Sequence, residues 1–299
     1  METPAPLDDQ VLVRVRASSV NPADWYLAKG PFVARISGNG MLKPKSPYLG
    51  SDVSGVVESL GRNVQGFHPG DEVFGICRGA FAEYVTVPER SLVLKPANRS
   101  FEQAAAVPLA GLTALQGLRN HGNLRPGQSV LVHGASGGVG TFVVALAKLL
   151  GGEVTAVCST DKVEIARSLG ADRVLDYTKE NFAEGAQRYD LIVVVNGHRP
   201  LRDYRRVLAS GGRCVMIGGS IRQIIRVLIM GKLRPKSRQR GVRAFVMSPN
   251  KDDLAFLKEL LETGGLTPVI DRTFPLARVG DAFRYMREGH ARGKIAVIP

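Results

Sequence analysis

The chain has 299 residues, 44% of them hydrophobic and 22% charged, an ordinary globular composition at the length where one core tends to divide into two domains. No apolar run reaches the about 18 residues of a membrane-spanning helix without glycine or charge, and Cys77, Cys158 and Cys214 are scattered, odd in number and without a C-x-x-C pair, which excludes a disulfide or zinc-ribbon framework. Forty Lys and Arg against 27 Asp and Glu leave a formal net charge of +13, which concentrates polyanions near the surface. The opening METPAPLDD is acidic and proline-rich, unlike the basic start of a secretory or organelle signal, so a cytoplasmic location is expected.

Up to about Pro96 the chain is made of short β-rich pieces, QVLVRVRASSV, SDVSGVVESLG, DEVFGI and AFAEYVTV, punctuated by Gly and Pro. They predict a small barrel-like domain over 1–97. The helical stretch FEQAAAVPLAGLTALQGLR leads into VLVHGASGGVG (Val130–Gly140), an apolar strand running into a glycine-packed turn, and TFVVALAKLL is the helix which that turn opens. Such a turn lets backbone N–H groups approach a pyrophosphate at the positive end of a helix, and its residues Ala135, Ser136, Gly137, Gly138, Val139 and Gly140 are candidates for dinucleotide binding. Ala135 stands where the usual G-x-G-x-x-G has its first glycine.

Beyond the turn, strands and helices alternate: EVTAVCS, DKVEIARSLG, RVLDY, DLIVVVN, a helix near Arg199–Leu208, and GGRCVMIGG. Near-continuous apolar strands between amphipathic helices predict a parallel sheet covered on both faces. From Ile221 to Lys251 there are nine basic residues and no acid, and IRQIIRVLIMGKLRPKSRQR adds an aliphatic stripe. Peripheral contact with an anionic membrane is conceivable there, a solvated loop is the plainer alternative, and without interleaved aromatic residues no nucleic-acid partner is expected. The sheet domain is predicted to span 98–264, ending with VRAFVMS and the helix NKDDLAFLKELLETG, and the tail over 265–299 returns as strand, helix, strand to the first domain.

About 20 residues past the last glycine, an acid would hold the ribose 2′-hydroxyl of NAD. Ser159 stands there, and with Thr160 and Lys162 it offers hydroxyls and a positive charge to a 2′-phosphate, which favours NADPH over NADH; Asp161 dissents, or caps the following helix. None of the five histidines forms a metal or nucleophile constellation. His133, just before the turn, either touches the cofactor or is a hydrogen-bonded core residue.

The chain resembles the zinc-independent quinone oxidoreductases (zeta-crystallin-like) of the medium-chain dehydrogenase/reductase superfamily. The resemblance rests on VNPADWYLAKG, LGSDVSGVVESLG, HPGDEVFG, GAFAEYVTVP, AAAVPLAGLTAL, GASGGVG, SLGADRVLDY and GHARGKIAVIP, in that order along nearly the whole chain. It implies an α/β protein, with a GroES-like β-rich domain and a Rossmann doubly wound parallel sheet domain. Zinc-dependent relatives carry Gly-His-Glu where Gly50-Ser51-Asp52 stands, and a cysteine near Asn21, so no zinc is expected.

The resemblance further implies an NADPH-dependent reductase of quinones or α,β-unsaturated carbonyls, and a homodimer paired through VRAFVMS. A dinucleotide-binding protein acting mainly through its basic 222–243 segment, on membrane, protein or RNA, is the alternative. By the same resemblance Tyr26 is a proton or hydrogen-bond donor, or an aromatic residue packed between domains. Asn21 and Asp24 border the nicotinamide and pocket, Asn21 as a donor to substrate or cofactor, though Asp24 also suits a local cap. Thr113 contacts the carboxamide; Tyr177 joins the 2′-phosphate site; Asn196, Gly218 and Gly219 lie near the ring. Lys294 either assists a phosphate or is an exposed tail lysine. Departures from the family are Ala145 in place of a Gln, Val194 and Asn196 in place of Asp and Val, and a start close to QVLVRV where relatives begin with a hairpin.

Overall fold

The computed structural model describes residues 3–28, 48–195, 199–218 and 241–299. They fall into two compact units, Met1–Leu112 with Pro249–Pro299, and Thr113–Ser248.

The first unit is built on a seven-stranded sheet, ordered β12-β13-β1-β2-β3-β5, with β4 also paired to β1. Strand β1 (Gln10–Ser19) runs antiparallel to β2 (Asp52–Leu60), β4 (Tyr84–Pro88) and β13 (Lys294–Ile298). Period-2 alternation explains its faces: Val11, Val13 and Val15 are buried while Arg14 and Arg16 point outward. Strands β3 (Glu72–Ile76) and β5 (Leu92–Leu94) complete one side, and Val53, Phe67, Val73 and Leu92 fill the interior. The tail supplies β12 (Ile270–Pro275), parallel to β13.

Between Ser19 and β2 lies helix α1 (Pro22–Ala28), with Pro at its first position, where a missing N–H costs nothing. Gly50 precedes β2 at φ +99°, and a side chain there would meet the Phe81 backbone at 2.6 Å, so only glycine fits.

The predicted long helix over 101–119 is broken. A capping box, Ser100 with Gln103, starts α2 (Phe101–Ala105), Pro108 restarts the chain as α3 (Pro108–Gln116), and a π-turn follows over Gly117–His121.

The second unit holds a six-stranded parallel sheet ordered β11-β10-β9-β6-β7-β8. Its strands are β6 (Ser129–His133), β7 (Glu153–Cys158), β8 (Arg173–Asp176), β9 (Tyr189–Val194), β10 (Leu208–Met216) and β11 (Val242–Ala244). The helices are α4 (Gly138–Leu149), α5 (Val163–Ser168) and α6 (Leu201–Val207). Sequence order reverses on either side of β6, and ligands of such sheets sit at the carboxyl ends of strands around that reversal.

By their internal contacts the units divide at Leu112/Thr113 and Ser248/Pro249. Helix α7 (Lys251–Glu262) belongs with the first unit because its C-terminal carbonyls are held there. The Arg99 guanidinium donates to Leu261 O at 3.1 Å, and Asn98 Nδ2 to Glu262 O at 2.9 Å. Helix α8 (Val279–Glu288) ends at Gly289, φ +77°.

Candidate active site

In the second unit, β6 ends at His133 and the chain turns through Gly134 at φ +87°. Gly134, which motif counting passed over, supplies the left-handed turn; Ala135 is fully buried beneath it. A side chain on Gly140 would come within 2.0 Å of Gly134 O, so the helix packs on its own turn only because Gly140 has none. Gly137 is different. It caps α4 in extended geometry, φ −80° and ψ 173°, with no side-chain cap, and its nearest neighbour to an added Cβ is Gly134 O at 3.8 Å.

Neither backbone conformation nor packing therefore demands glycine at 137. Gly137, Gly138 and Val139 are partly exposed while Ala135, Ser136 and Gly140 are buried. The result is a bare helix N-terminus with open backbone donors and room for an anion, which fits the pyrophosphate of a dinucleotide.

The ends of β7 and β8 lie side by side, Tyr177 N donating to Cys158 O at 3.0 Å. This brings Ser159, Thr160, Lys162 and the half-exposed Tyr177 to one edge. Thr160 does not offer its hydroxyl to a ligand: it donates to Asp176, whose carboxyl this bond and those from Thr178 hold down at about 2. Ser159 Oγ donates to Asp161 Oδ1 at 2.5 Å, so the dissenting acid is engaged locally.

His133 takes the core reading. Its Nδ1 lies 2.7 Å from the hydroxyl of Tyr204, a fully buried side chain, and its ring packs on Phe182. Gly218 is needed by the chain itself, since a Cβ there would meet Val195 O at 2.2 Å. Thr113, in α3, is buried. Asn196 and Gly219 lie outside the described residues, as does the basic segment through Arg240.

In the first unit, α1 starts on a buried polar cluster. Asn21 is saturated: Nδ2 donates to Ser19 O at 3.2 Å and Asp52 Oδ2 at 2.8 Å, and Oδ1 accepts from Lys294 at 2.6 Å. It has no donor left for substrate or cofactor, a correction to the expected contact, and acts instead by fixing the start of α1. Lys294 is neither an exposed tail residue nor a phosphate ligand. It is 3% exposed, and its ammonium also reaches Asp52 Oδ2 and Val20 O, at 3.3 and 3.4 Å, which uses its three hydrogens.

The burial of Lys294 has a long-range cause. Lys294 opens β13, and the long-range pairing of β13 with β1 and β12 buries it. Asp52, read from sequence only as a missing zinc ligand, is the centre of the cluster. It is fully buried and also accepts from the Ser19 hydroxyl and from Leu109 N, the latter at 2.8 Å. Asp24, at the third position of α1, accepts Asn21 N at 3.2 Å and the Ser51 hydroxyl at 2.6 Å. Burial raises its carboxyl to about 6, helped by the Asp52 charge and opposed by Ser51, Lys294 and Asn21. Tyr26 is half-buried on the same helix.

Among the described residues no group of three His, Cys, Asp or Glu is placed to hold a metal ion. A family model described as an alcohol dehydrogenase GroES-like domain matches residues 7–97, and one described as a zinc-binding dehydrogenase matches 169–297. The chain is 37% identical to the 2-methylene-furan-3-one reductase of Solanum lycopersicum, over 98% of this chain and 72% of that protein. It is 38% identical to the chloroplastic NADPH-dependent alkenal/one oxidoreductase of Arabidopsis thaliana, with the same coverage.

The chain belongs to the zinc-independent quinone oxidoreductases of the medium-chain dehydrogenase/reductase superfamily. Among solved structures of these oxidoreductases, the quinone oxidoreductase of Coxiella burnetii superposes with a TM-score of 0.86 at 30% identity, covering all of this chain and 93% of that one. Like them the chain joins a GroES-like domain to a Rossmann sheet and is an NAD(P)H-dependent enzyme. No described helix is long and apolar enough to cross a membrane.

Proposed function

We propose that the chain is an NADPH-dependent reductase of quinones and α,β-unsaturated carbonyl compounds. The observation that carries this reading is Gly137, a glycine which the fold does not require and an approaching pyrophosphate does. The named activities of the tomato, Arabidopsis and Coxiella relatives support the substrate class.

When bound, the nicotinamide supplies a hydride to an electrophilic carbon or quinone. The residues of the chain bind and orient: backbone N–H groups at the start of α4 hold the pyrophosphate, with Ser136 beside them. Lys162 and Tyr177 take the 2′-phosphate, with Ser159 leaving room for it where an acid would repel it, and Thr113 and the backbone at Gly218 border the ring. Tyr26 donates a hydrogen bond to the substrate oxygen as negative charge develops on it. Tyr26 lies two residues after Asp24 on α1 and is half-buried. Tyr26→Phe is expected to lower kcat by about 10–100-fold with KM for NADPH unchanged; unchanged turnover would remove the role.

Cofactor choice rests on Ser159. In Ser159→Asp the new carboxylate would repel a 2′-phosphate and accept a ribose hydroxyl, so the NADPH/NADH ratio of kcat/KM should fall by about 100-fold. A ratio that does not move would refute the assignment.

Two further elements complete the reading. Among the described residues strand β11 is the edge of the six-stranded sheet, and Val246 beyond it is 84% exposed, which supports pairing of two copies along that edge. The three cysteines are free and buried, which suits a reducing, cytoplasmic setting.

A further inference from the structure

The cluster under α1 is unbalanced in charge. Two buried carboxyl groups, Asp24 and Asp52, face one ammonium, Lys294, and that ammonium is bonded to Asp52 and Asn21. Among the described residues, Asp24 accepts an N–H from the backbone of Asn21 and the Ser51 hydroxyl. A further titratable neighbour among the described residues is Cys77, whose thiol is pushed far up by burial and by both carboxylates and stays neutral. Burial of Asp24, offset only in part by Ser51, Lys294 and Asn21, makes it a group that gains and loses a proton near pH 6, close to the range in which a proton donor works well.

Access to this proton is narrow. Ser19, Asn21, Asp24, Asp52 and Lys294 are all between 0% and 3% exposed, whereas Ser51 is partly exposed. Of these six residues, the one that links Asp24 outward is Ser51, whose Oγ lies 2.6 Å from Asp24 Oδ1. A hydroxyl both donates and accepts, so it can pass a proton without holding a charge.

We propose that Asp24 stores the proton that completes reduction and that the Ser51 hydroxyl delivers it. The inference rests on the reductase reading above. Hydride addition leaves the substrate as an enolate or hydroquinone anion. Ser51 gives its own hydrogen to that anion and takes the Asp24 proton in return, so the O–H bond of Ser51 is broken and remade and Asp24 is left as carboxylate. Solvent restores the Asp24 proton by the same hydroxyl. One hydride from the cofactor and one proton from Asp24 account for the two hydrogens the substrate gains. Ser51 is then the group that touches the substrate, and Asp24 acts through it, while Tyr26 holds the substrate oxygen.

The test follows two readouts in the full chain. In single-turnover reduction of an enone at saturating NADPH, the rate should fall about tenfold per unit as pH rises above about 6. Asp24→Asn should be slower by about 100-fold and lose that limb, Ser51→Ala should do the same, and Ser51→Thr should restore both. A merely structural role would lower the rate or raise KM and leave the limb in place, which would overturn the proposal. Without cofactor, carbon NMR of the Asp24 carboxyl should show a midpoint near 6, higher in Ser51→Ala because the hydroxyl bond favours the carboxylate, and lower in Asp52→Asn. A midpoint near the ordinary Asp value would overturn the store. A wild-type chain that reduces no enone and no quinone would overturn the reductase reading and the proton's destination, while the NMR midpoint would still decide whether Asp24 and Ser51 exchange the proton.

Discussion

Lys294→Met is expected to destabilise the first unit by about 3–5 kcal/mol, because it leaves the Asp52 carboxylate buried without its cation. The loss should appear as a fall in Tm on the order of 10 °C. The cost comes from a stranded charge and not from lost packing, since Met fills nearly the same volume. Lys294→Met combined with Asp52→Asn should therefore recover much of the stability that Lys294→Met alone loses. Failure of the double variant to recover would mean that the ammonium's bonds to Asn21 and Val20 carry the energy instead. Turnover should fall too, as Asn21 loses one of the partners that fix the start of α1, the helix that carries Tyr26.

The second large effect separates two glycines three residues apart. Gly137→Asp is expected to keep or slightly raise the stability of the cofactor-free chain, by up to about 1 kcal/mol, because Asp caps a helix better than Gly and φ −80° suits it. The same change should weaken dinucleotide binding by about 100-fold or more, since the new carboxylate takes the backbone donors and repels the pyrophosphate. Gly140→Ala should lose stability and cofactor together, its Cβ colliding with Gly134 O. Calorimetry of both variants, with and without NADPH, gives the two signs. If Gly137→Asp bound NADPH normally, the open face at 137 would not be the pyrophosphate site.

Much of the second unit was legible along the chain because its signals are local. Apolar strands, an N-cap or a stop glycine lie within a few residues of what they control, and the parallel sheet follows from their alternation. The left-handed residue of the turn was missed, because a motif count starting at Ala135 does not say which residue needs positive φ; the bond geometry assigns that need to Gly134.

The first unit's site was legible only in its local part. Asn21 and Asp24 are an i, i+3 pair, and a cap was foreseeable. Ser51, Asp52 and Lys294 join them across 27 to 273 residues of sequence, through strand pairing that no local pattern encodes. Asp52 and Ser51 were noticed only for the zinc ligands they are not. Their positive role, a buried charge lock and a hydroxyl beside a buried acid, is a property of burial, and burial at those positions is decided by β13 and β2 flanking β1.

NADPH-dependent reduction is tested by following nicotinamide oxidation in the purified chain with a quinone, an enal and an enone, each with NADPH and with NADH. Turnover of at least one of these acceptors is expected, with kcat/KM for NADPH above that for NADH, and loss of turnover in Gly137→Asp. Tight NADPH binding with no oxidation by any acceptor, or equal use of both dinucleotides, would contradict it.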